Sequence, residues 1–319
     1  MCCFCARSEP PAAAAAPPPT ASSAARSSAP VQIEMRHVRL HAAAGIILAI
    51  DSLRGEMISR DPASPPVFDD QRSYVLKVAT ADISVDMPSL SHLMNDFVFA
   101  YDGSPLKDLS VEIDGGRLKQ NGKMHKGVWL PFSMKAGVAP TADGRLRLHA
   151  ESVSAAGLPA TKLVDLFGLQ LDELIKIKDR RGVEIKDDDV IVAPGRVLPP
   201  PEIQGRLTRA EIAGDMLHLV YGAETVPVRL TPPAPEARNY IYFAHSSIRF
   251  GKLTMSDADL QLIDADDRDW FDFSPEEYER QLVAGYSKNT PAKGLKTYMP
   301  DFDDLQRAAG PKGPALHQQ

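Results

Sequence analysis

The chain has 319 residues, of which 44% are hydrophobic and 24% are charged, and it carries a formal net charge of -6 at pH 7. These values are ordinary for a globular protein with a sizeable core. The acidic balance and the lack of Lys and Arg clusters argue against a nucleic-acid partner, because phosphate binding needs such clusters. The sequence has no run of about 18 apolar residues, so no transmembrane helix is predicted.

Residues 1–30 are predicted to form a disordered tail. A tract rich in Pro, Ala and Ser runs from Glu9 to Pro30, and it has too little apolar surface to offset the entropy lost on ordering. Cys2, Cys3 and Cys5 all precede this tract, so the folded part has neither a disulfide framework nor a thiolate metal site. The N-terminus has no signal-peptide pattern, and the thiols are interpreted as incidental. The alternative is a targeting segment lost upstream.

Alternating apolar residues predict strands from Val31 onward. Val31, Ile33 and Met35 alternate, and a phase shift at residues 36–37 predicts a β-bulge there. Another strand is predicted from Tyr74 to Val85.

An amphipathic helix is predicted from Pro88, a residue type suited to the first helical turn. Its apolar positions recur at helical spacing and are Leu90, Leu93, Met94, Phe97 and Val98. This face is interpreted as part of an ordinary core. The alternative is that it lines a lipid cavity.

An antiparallel meander is predicted from Leu109 to His149. The sequences at 114–116 and 142–144 supply turn residues, and apolar and polar residues alternate between them. One face of this sheet is therefore apolar. A second apolar helical segment is predicted at Leu158–Ile175, with Gly168 expected to break or kink it.

The order of a helix followed by strands occurs twice, which suggests an internal repeat with copies at 88–157 and 158–222. Both copies belong to a predicted domain of residues 31–230. Residues 231–319 are predicted to extend this domain with a β-hairpin and a helix.

Residues 239–243 and 247–255 are predicted to form the C-terminal hairpin, and the capping sequence at 274–277 predicts the start of the helix. Aromatic residues are dense in this part and are interpreted as covering an end of the sheet. The alternative is a lid at a membrane interface. The acidic stretch 264–269 lacks the glycine and ligand pattern of an EF-hand loop and is interpreted as a solvated turn.

Several stretches together resemble the bacterial LmeA-like family, a domain of unknown function implicated in phospholipid binding at the cell envelope. They are Val111–Leu118, Asp143–Leu148, the link Glu151–Pro159 into Leu166–Leu174, and Val197–Leu207. The resemblance covers roughly Tyr74 to Gly222. It implies an α+β fold related to tubular lipid-binding proteins, in which curved antiparallel sheets wrap around or pack against a few amphipathic helices. It also implies a location in the cell envelope or periplasm.

The residues and the resemblance together predict non-catalytic binding or transfer of a phospholipid or another acyl lipid, with a lipid or membrane surface as partner. The sequence shows no catalytic motif or cofactor fingerprint, so no enzymatic activity, cofactor or metal is predicted. The expected lining of an apolar groove is Val111, Ile113, Val128, Leu130, Phe132, Leu146, Leu148, Leu166 and Phe167. The alternatives are a scaffolding envelope protein with a solid core and a hydrolase with an unrecognised site.

Overall fold

The computed structural model describes residues 29–160, 182–222, 230–291 and 294–309. Strands dominate this part of the chain and form two curled, mainly antiparallel sheets accompanied by short helices. The curved antiparallel sheets expected from the sequence are therefore confirmed. The predicted tail, apart from residues 29 and 30, lies outside the described residues.

The larger sheet contains eleven strands. They are β1 (Val31–Ala43), β2 (Ile46–Ser59), β3 (Tyr74–Asp86), β11 (Glu202–Gln204), β12 (Leu207–Ala213), β13 (Met216–Tyr221), β14 (Tyr240–Ala244), β17 (Asp259–Asp264), β18 (Phe271–Phe273), β19 (Tyr286–Asn289) and β20 (Leu295–Met299). Their order across the sheet is β12-β13-β3-β2-β1-β14-β17-β20-β19, and the short strands β11 and β18 pair with β3 and β1.

The long strands β1, β2 and β3 form an antiparallel meander in which buried and less buried side chains alternate. β1 keeps one register with β2 from Val31 to His41, so there is no bulge between these strands at residues 36–37, where the sequence predicts one. The register shifts between His41 and Ala43 instead. His37 has a φ of 46° and marks the place where the other neighbour of β1 changes from β14 to β18. The phase shift in the sequence therefore reflects a change of partner strand.

β3 runs directly into helix α1 (Met87–His92), which continues as a π-helical turn at Leu93–Val98. The Asp86 carboxylate accepts a hydrogen bond from the backbone N–H of Ser89 at 2.7 Å, and Pro88 lies in the first turn. The helix predicted from Pro88 is confirmed. The Ser89 hydroxyl in turn accepts a hydrogen bond from the backbone N–H of Ile47, which fixes α1 against β2.

The smaller sheet contains seven strands. They are β4 (Leu106–Asp114), β5 (Arg117–Lys126), β6 (Val128–Pro140), β7 (Leu146–Ala155), β8 (Leu158–Ala160), β9 (Val183–Lys186) and β10 (Asp189–Val192). The order is β4-β5-β6-β7-β10-β9, with β8 paired to β7. The predicted meander is thus confirmed, and Gly115 and Gly116 turn the first hairpin with φ values of 61° and 73°.

The second predicted helix requires a correction at its start, because Leu158–Ala160 pairs with β7 as strand β8. The remainder of Leu158–Ile175 lies outside the described residues. The described strands of the two suggested repeat copies are also distributed differently. Those of residues 88–157 all lie in the smaller sheet, whereas those of residues 158–222 are divided between both sheets.

The C-terminal strands β14, β17, β19 and β20 continue the larger sheet beyond β1. β14 pairs with β17, which corrects the predicted hairpin. The intervening strands β15 (Ile248–Phe250) and β16 (Leu253–Met255) pair with each other instead. The remaining helices are α2 (Pro194–Val197), α3 (Tyr278–Ala284) and α4 (Phe302–Ala308).

Helix α3 begins at Tyr278, later than its predicted capping sequence indicates. The backbone N–H of Ser274 donates a hydrogen bond to the side-chain oxygen of Gln281, and Ser274 is itself buried. Ser274 therefore lies buried directly after β18, and the chain turns once more before the helix starts.

The main core lies between the two sheets. Near β14 it contains an aromatic cluster consisting of Phe68, Phe243, Phe250, Phe273 and Tyr278. Neighbouring ring centroids in this cluster lie between 4.9 and 6.3 Å apart. Most aromatic residues of the C-terminal part are buried, which agrees with their interpretation as structural cover.

Among the described residues, three carboxylates are buried in strands of the larger sheet: Glu34, Asp264 and Asp272. Glu34 on β1 is 3% exposed and accepts hydrogen bonds from Arg54 Nε and from the Tyr240 hydroxyl, each at 2.8 Å. These partners lie on the two strands that flank β1. Glu34 therefore joins three neighbouring strands through one group.

Candidate functional site

An apolar cavity of about 120 Å³ lies between the two sheets and is called the interlayer cavity below. One wall consists of side chains from β1, β2, β3 and β13, and the opposite wall of side chains from β4, β5, β6, β7 and β10. Helix α1 and the π-helical turn close one side with Leu90, Leu93 and Met94. The sequence allows two interpretations of the apolar face of this helix, as part of the core or as the lining of a cavity. The structure shows that this face contributes to both.

A second apolar cavity of about 60 Å³ adjoins the first. Met35, Leu40 and Leu48 on β1 and β2 line both spaces, and so do Leu198 and Ile203 near β11. The two cavities therefore follow one another along the inner face of the larger sheet. The second cavity reaches the aromatic cluster at Phe68 and Phe273.

Three of the predicted groove residues, Val111, Leu146 and Leu148, line the interlayer cavity. Ile113 is partly buried and packs against the main core without lining the cavity. Leu166 lies outside the described residues, as does its neighbour Phe167.

Three other predicted residues occupy β6, and the structure places them away from the cavity. Phe132 is buried in a separate cluster with Leu109 and Met124, and Leu130 packs at its margin. Val128 is 62% exposed, because the β5–β6 hairpin extends beyond the covering layer and turns at Gly127. The alternation of apolar and polar residues along β6 shows which side chains share one face of the strand. It does not show how far the larger sheet covers that face.

Sequence reasoning missed the wall that the larger sheet provides. Leu48, Ile83 and Leu219 line the cavity from β2, β3 and β13. Their alternating pattern is visible in the sequence, whereas the pairing of β13 with β3 and the stacking of one sheet on the other are non-local features.

The tip of the β5–β6 hairpin exposes apolar surface beside positive charge. Trp129 follows the exposed Val128, and Lys107 Nζ lies 4.2 Å from the Trp129 ring centroid. The His125 ring packs against the same indole at 5.1 Å. This hairpin tip, consisting of Lys107, His125, Val128 and Trp129, combines an exposed aromatic ring with the ammonium group of Lys107.

Acidic side chains gather where β17, β18 and β20 end. Two sets have ligand atoms within 4.8 Å of one another and could hold a divalent cation: His41, Asp272 and Asp303, and Asp264, Asp266 and Asp301. The buried members already have protein partners. His41 Nε2 lies 2.5 Å from Asp272 Oδ1, and the Asn239 amide donates to Asp264 Oδ2 at 3.0 Å.

The interpretation of 264–269 as a solvated turn is wrong at its first residue, because Asp264 is only 7% exposed. Burial raises the pKa of Asp264 to about 6 and that of Asp301 to about 7, and neighbouring carboxylates contribute to both increases. These groups therefore take up protons near neutral pH in the folded protein.

We expect the Asp301→Asn variant to become more stable than the wild type as pH rises. Asp301 keeps its proton up to about pH 7 when folded but loses it near pH 4 when unfolded, so its contribution to the free energy of unfolding falls between these values. After discounting for solvent screening, the variant should gain about 1–2 kcal/mol at pH 8 and nothing near pH 4. Urea denaturation across this range measures the difference.

Asp215→Asn provides the control, because Asp215 is exposed in the turn between β12 and β13. The expectation for Asp301 is refuted if the two variants show the same pH dependence of stability. The Asp301 side chain makes no capping hydrogen bond to α4, and the amide oxygen of Asn can still accept the hydrogen bond from the backbone N–H of Asp272.

The described part of the chain has no helix with both the length and the apolar character needed to cross a bilayer. No protein-family model, curated protein or solved structure matches this chain. The resemblance to the LmeA-like family therefore stays a prediction.

Proposed function

We propose that this protein binds the acyl chain of a phospholipid or another lipid in the interlayer cavity and carries or presents it in the cell envelope without acting on it chemically. The observation that carries this proposal is an apolar space enclosed by both sheets and α1. Apolar cavities of this kind stay free of water and accept apolar ligands.

The size of the cavity decides how much lipid it holds. A volume of about 120 Å³ is similar to the ~150 Å³ of an engineered apolar cavity that accommodates benzene. It therefore suits a segment of one acyl chain, and the head group stays outside. Burial contributes about 0.8 kcal/mol per methylene, so roughly five methylenes give about 4 kcal/mol before ordering costs.

The hairpin tip supports a membrane surface as partner. Exposed Trp side chains favour the interface between lipid and water, and Lys is attracted to anionic lipid. Trp129 and Lys107 supply this combination at one end of the smaller sheet. Contact there would bring the protein to its source of lipid.

We expect Ala136→Phe to abolish lipid binding while the fold is kept. Ala136 is buried and lines the interlayer cavity, and its register partners are Leu118 and Ala150. A phenyl ring would occupy most of the free volume, at a cost of about 1–3 kcal/mol in stability. Native mass spectrometry and the uptake of a fluorescent fatty acyl probe measure the loss.

Ala139→Phe is the matched control, because Ala139 pairs with the exposed Arg147 on the same two strands. It should bind the probe as the wild type does. The proposal is overturned if the wild-type protein carries no lipid and takes up no probe. That result would favour a scaffolding protein.

A further inference from the structure

Gln120 is the polar residue of β5 that faces the interlayer cavity. Its register partners Val111 and Met134 line the same space. The preceding residue, Lys119, points to the other face and pairs with Glu112 at 2.8 Å. Among the described residues, the Gln120 amide has no hydrogen-bond partner.

Tyr221 on β13 is the second polar residue of the lining, and it belongs to the opposite wall. It is 6% exposed, and burial raises the pKa of its phenol to about 12. The Tyr221 hydroxyl has no hydrogen-bond partner in the described part of the chain and is not itself fully buried, so it is accessible to a ligand. Both walls therefore present an unpaired polar group.

No charged side chain occurs among the described residues that line the cavity. Burying a carboxylate or a phosphate without an opposite charge is strongly unfavourable. Gln and Tyr side chains are neutral, and each can both donate and accept a hydrogen bond. The chemistry of the cavity thus matches an uncharged oxygen and excludes an ionised one.

We infer that the interlayer cavity selects a single-chain lipid whose buried part carries an uncharged hydroxyl group, and that Gln120 and Tyr221 form hydrogen bonds with this group. This inference rests on the proposed function and specifies the ligand of the same cavity. The apolar walls hold the chain, and the two polar side chains determine which chains are preferred. Gln120 and Tyr221 are then residues that determine specificity.

The test measures the binding of octanol, octane and octanoate to the full chain at neutral pH by isothermal titration calorimetry. The ratio of octanol affinity to octane affinity should be at least about tenfold higher in the wild type than in the Gln120→Leu/Tyr221→Phe double variant, because each lost hydrogen bond weakens octanol binding by about threefold to tenfold. Octanoate should bind less tightly than octanol. Asn121→Leu removes an amide from the other face of β5, where Asn121 donates a hydrogen bond to Glu112 at 3.1 Å, and should keep the wild-type ratio.

The outcomes separate the two proposals. An unchanged octanol-to-octane ratio in a folded double variant overturns the role of Gln120 and Tyr221 and leaves the proposed lipid binding intact. Tighter binding of octanoate than of octanol overturns the preference for an uncharged group. If none of the three ligands binds, lipid binding fails, and this inference fails with it.

Discussion

Replacing Phe243 with alanine is expected to lower the free energy of unfolding by about 3–5 kcal/mol. Phe243 lies on β14 and is fully buried. Its ring centroid is 5.4 Å from that of Phe68 and 5.8 Å from that of Phe250, both at nearly perpendicular angles. Truncation removes these ring contacts and leaves a cavity that the surrounding strands can close only in part.

Urea denaturation followed by tryptophan fluorescence and circular dichroism measures this loss. Leu253→Ala is the control, because Leu253 is 60% exposed in the β15–β16 hairpin and its truncation should change stability by less than about 0.5 kcal/mol. One cooperative transition is expected for Phe243→Ala, because β14 pairs directly with β1. A stability loss below about 1 kcal/mol would contradict the buried position.

Glu34→Ala is expected to lower the free energy of unfolding by about 2–4 kcal/mol. The substitution removes the acceptor of two hydrogen bonds, one from Arg54 and one from Tyr240. The Arg54 guanidinium then lies partly buried without its anion, and the Tyr240 hydroxyl loses its partner within the sheet. The unpaired donors account for most of the cost.

Glu34→Gln separates charge from hydrogen bonding. Its amide oxygen can still accept from one of the two donors, so we expect roughly half the destabilisation of Glu34→Ala. Burial and hydrogen bonding to Glu34 raise the pKa of Tyr240 to about 12, so spectrophotometric titration should show this pKa fall in Glu34→Ala. Equal stabilities of Glu34→Ala and the wild type would refute the role of the carboxylate.

Local features of the fold could be predicted from the sequence. The meander of β4 to β7 follows from alternation and from glycine turns such as Gly115–Gly116. The start of α1 follows from Asp86 and Pro88. Each of these signals depends on residues close together in the chain, where turn chemistry and side-chain periodicity act directly.

Non-local features could not be predicted in this way. The described residues of the predicted groove all belong to the smaller sheet, whereas half of the cavity wall comes from strands such as β2 and β13. Gln120 belongs to a mainly polar stretch of the sequence, which gives no sign that its side chain faces the cavity. Which apolar faces meet, and how far one layer covers the other, depends on pairings such as β13 with β3.

The pairing of β1 with β14 has a consequence for biosynthesis. Arg36 lies opposite Tyr240, so about 200 residues must leave the ribosome before this edge of β1 meets its partner. At 5–20 residues per second this takes roughly 10–40 s. During that interval β1 presents free backbone groups to other chains, and chaperone protection during translation is most valuable while this edge is open.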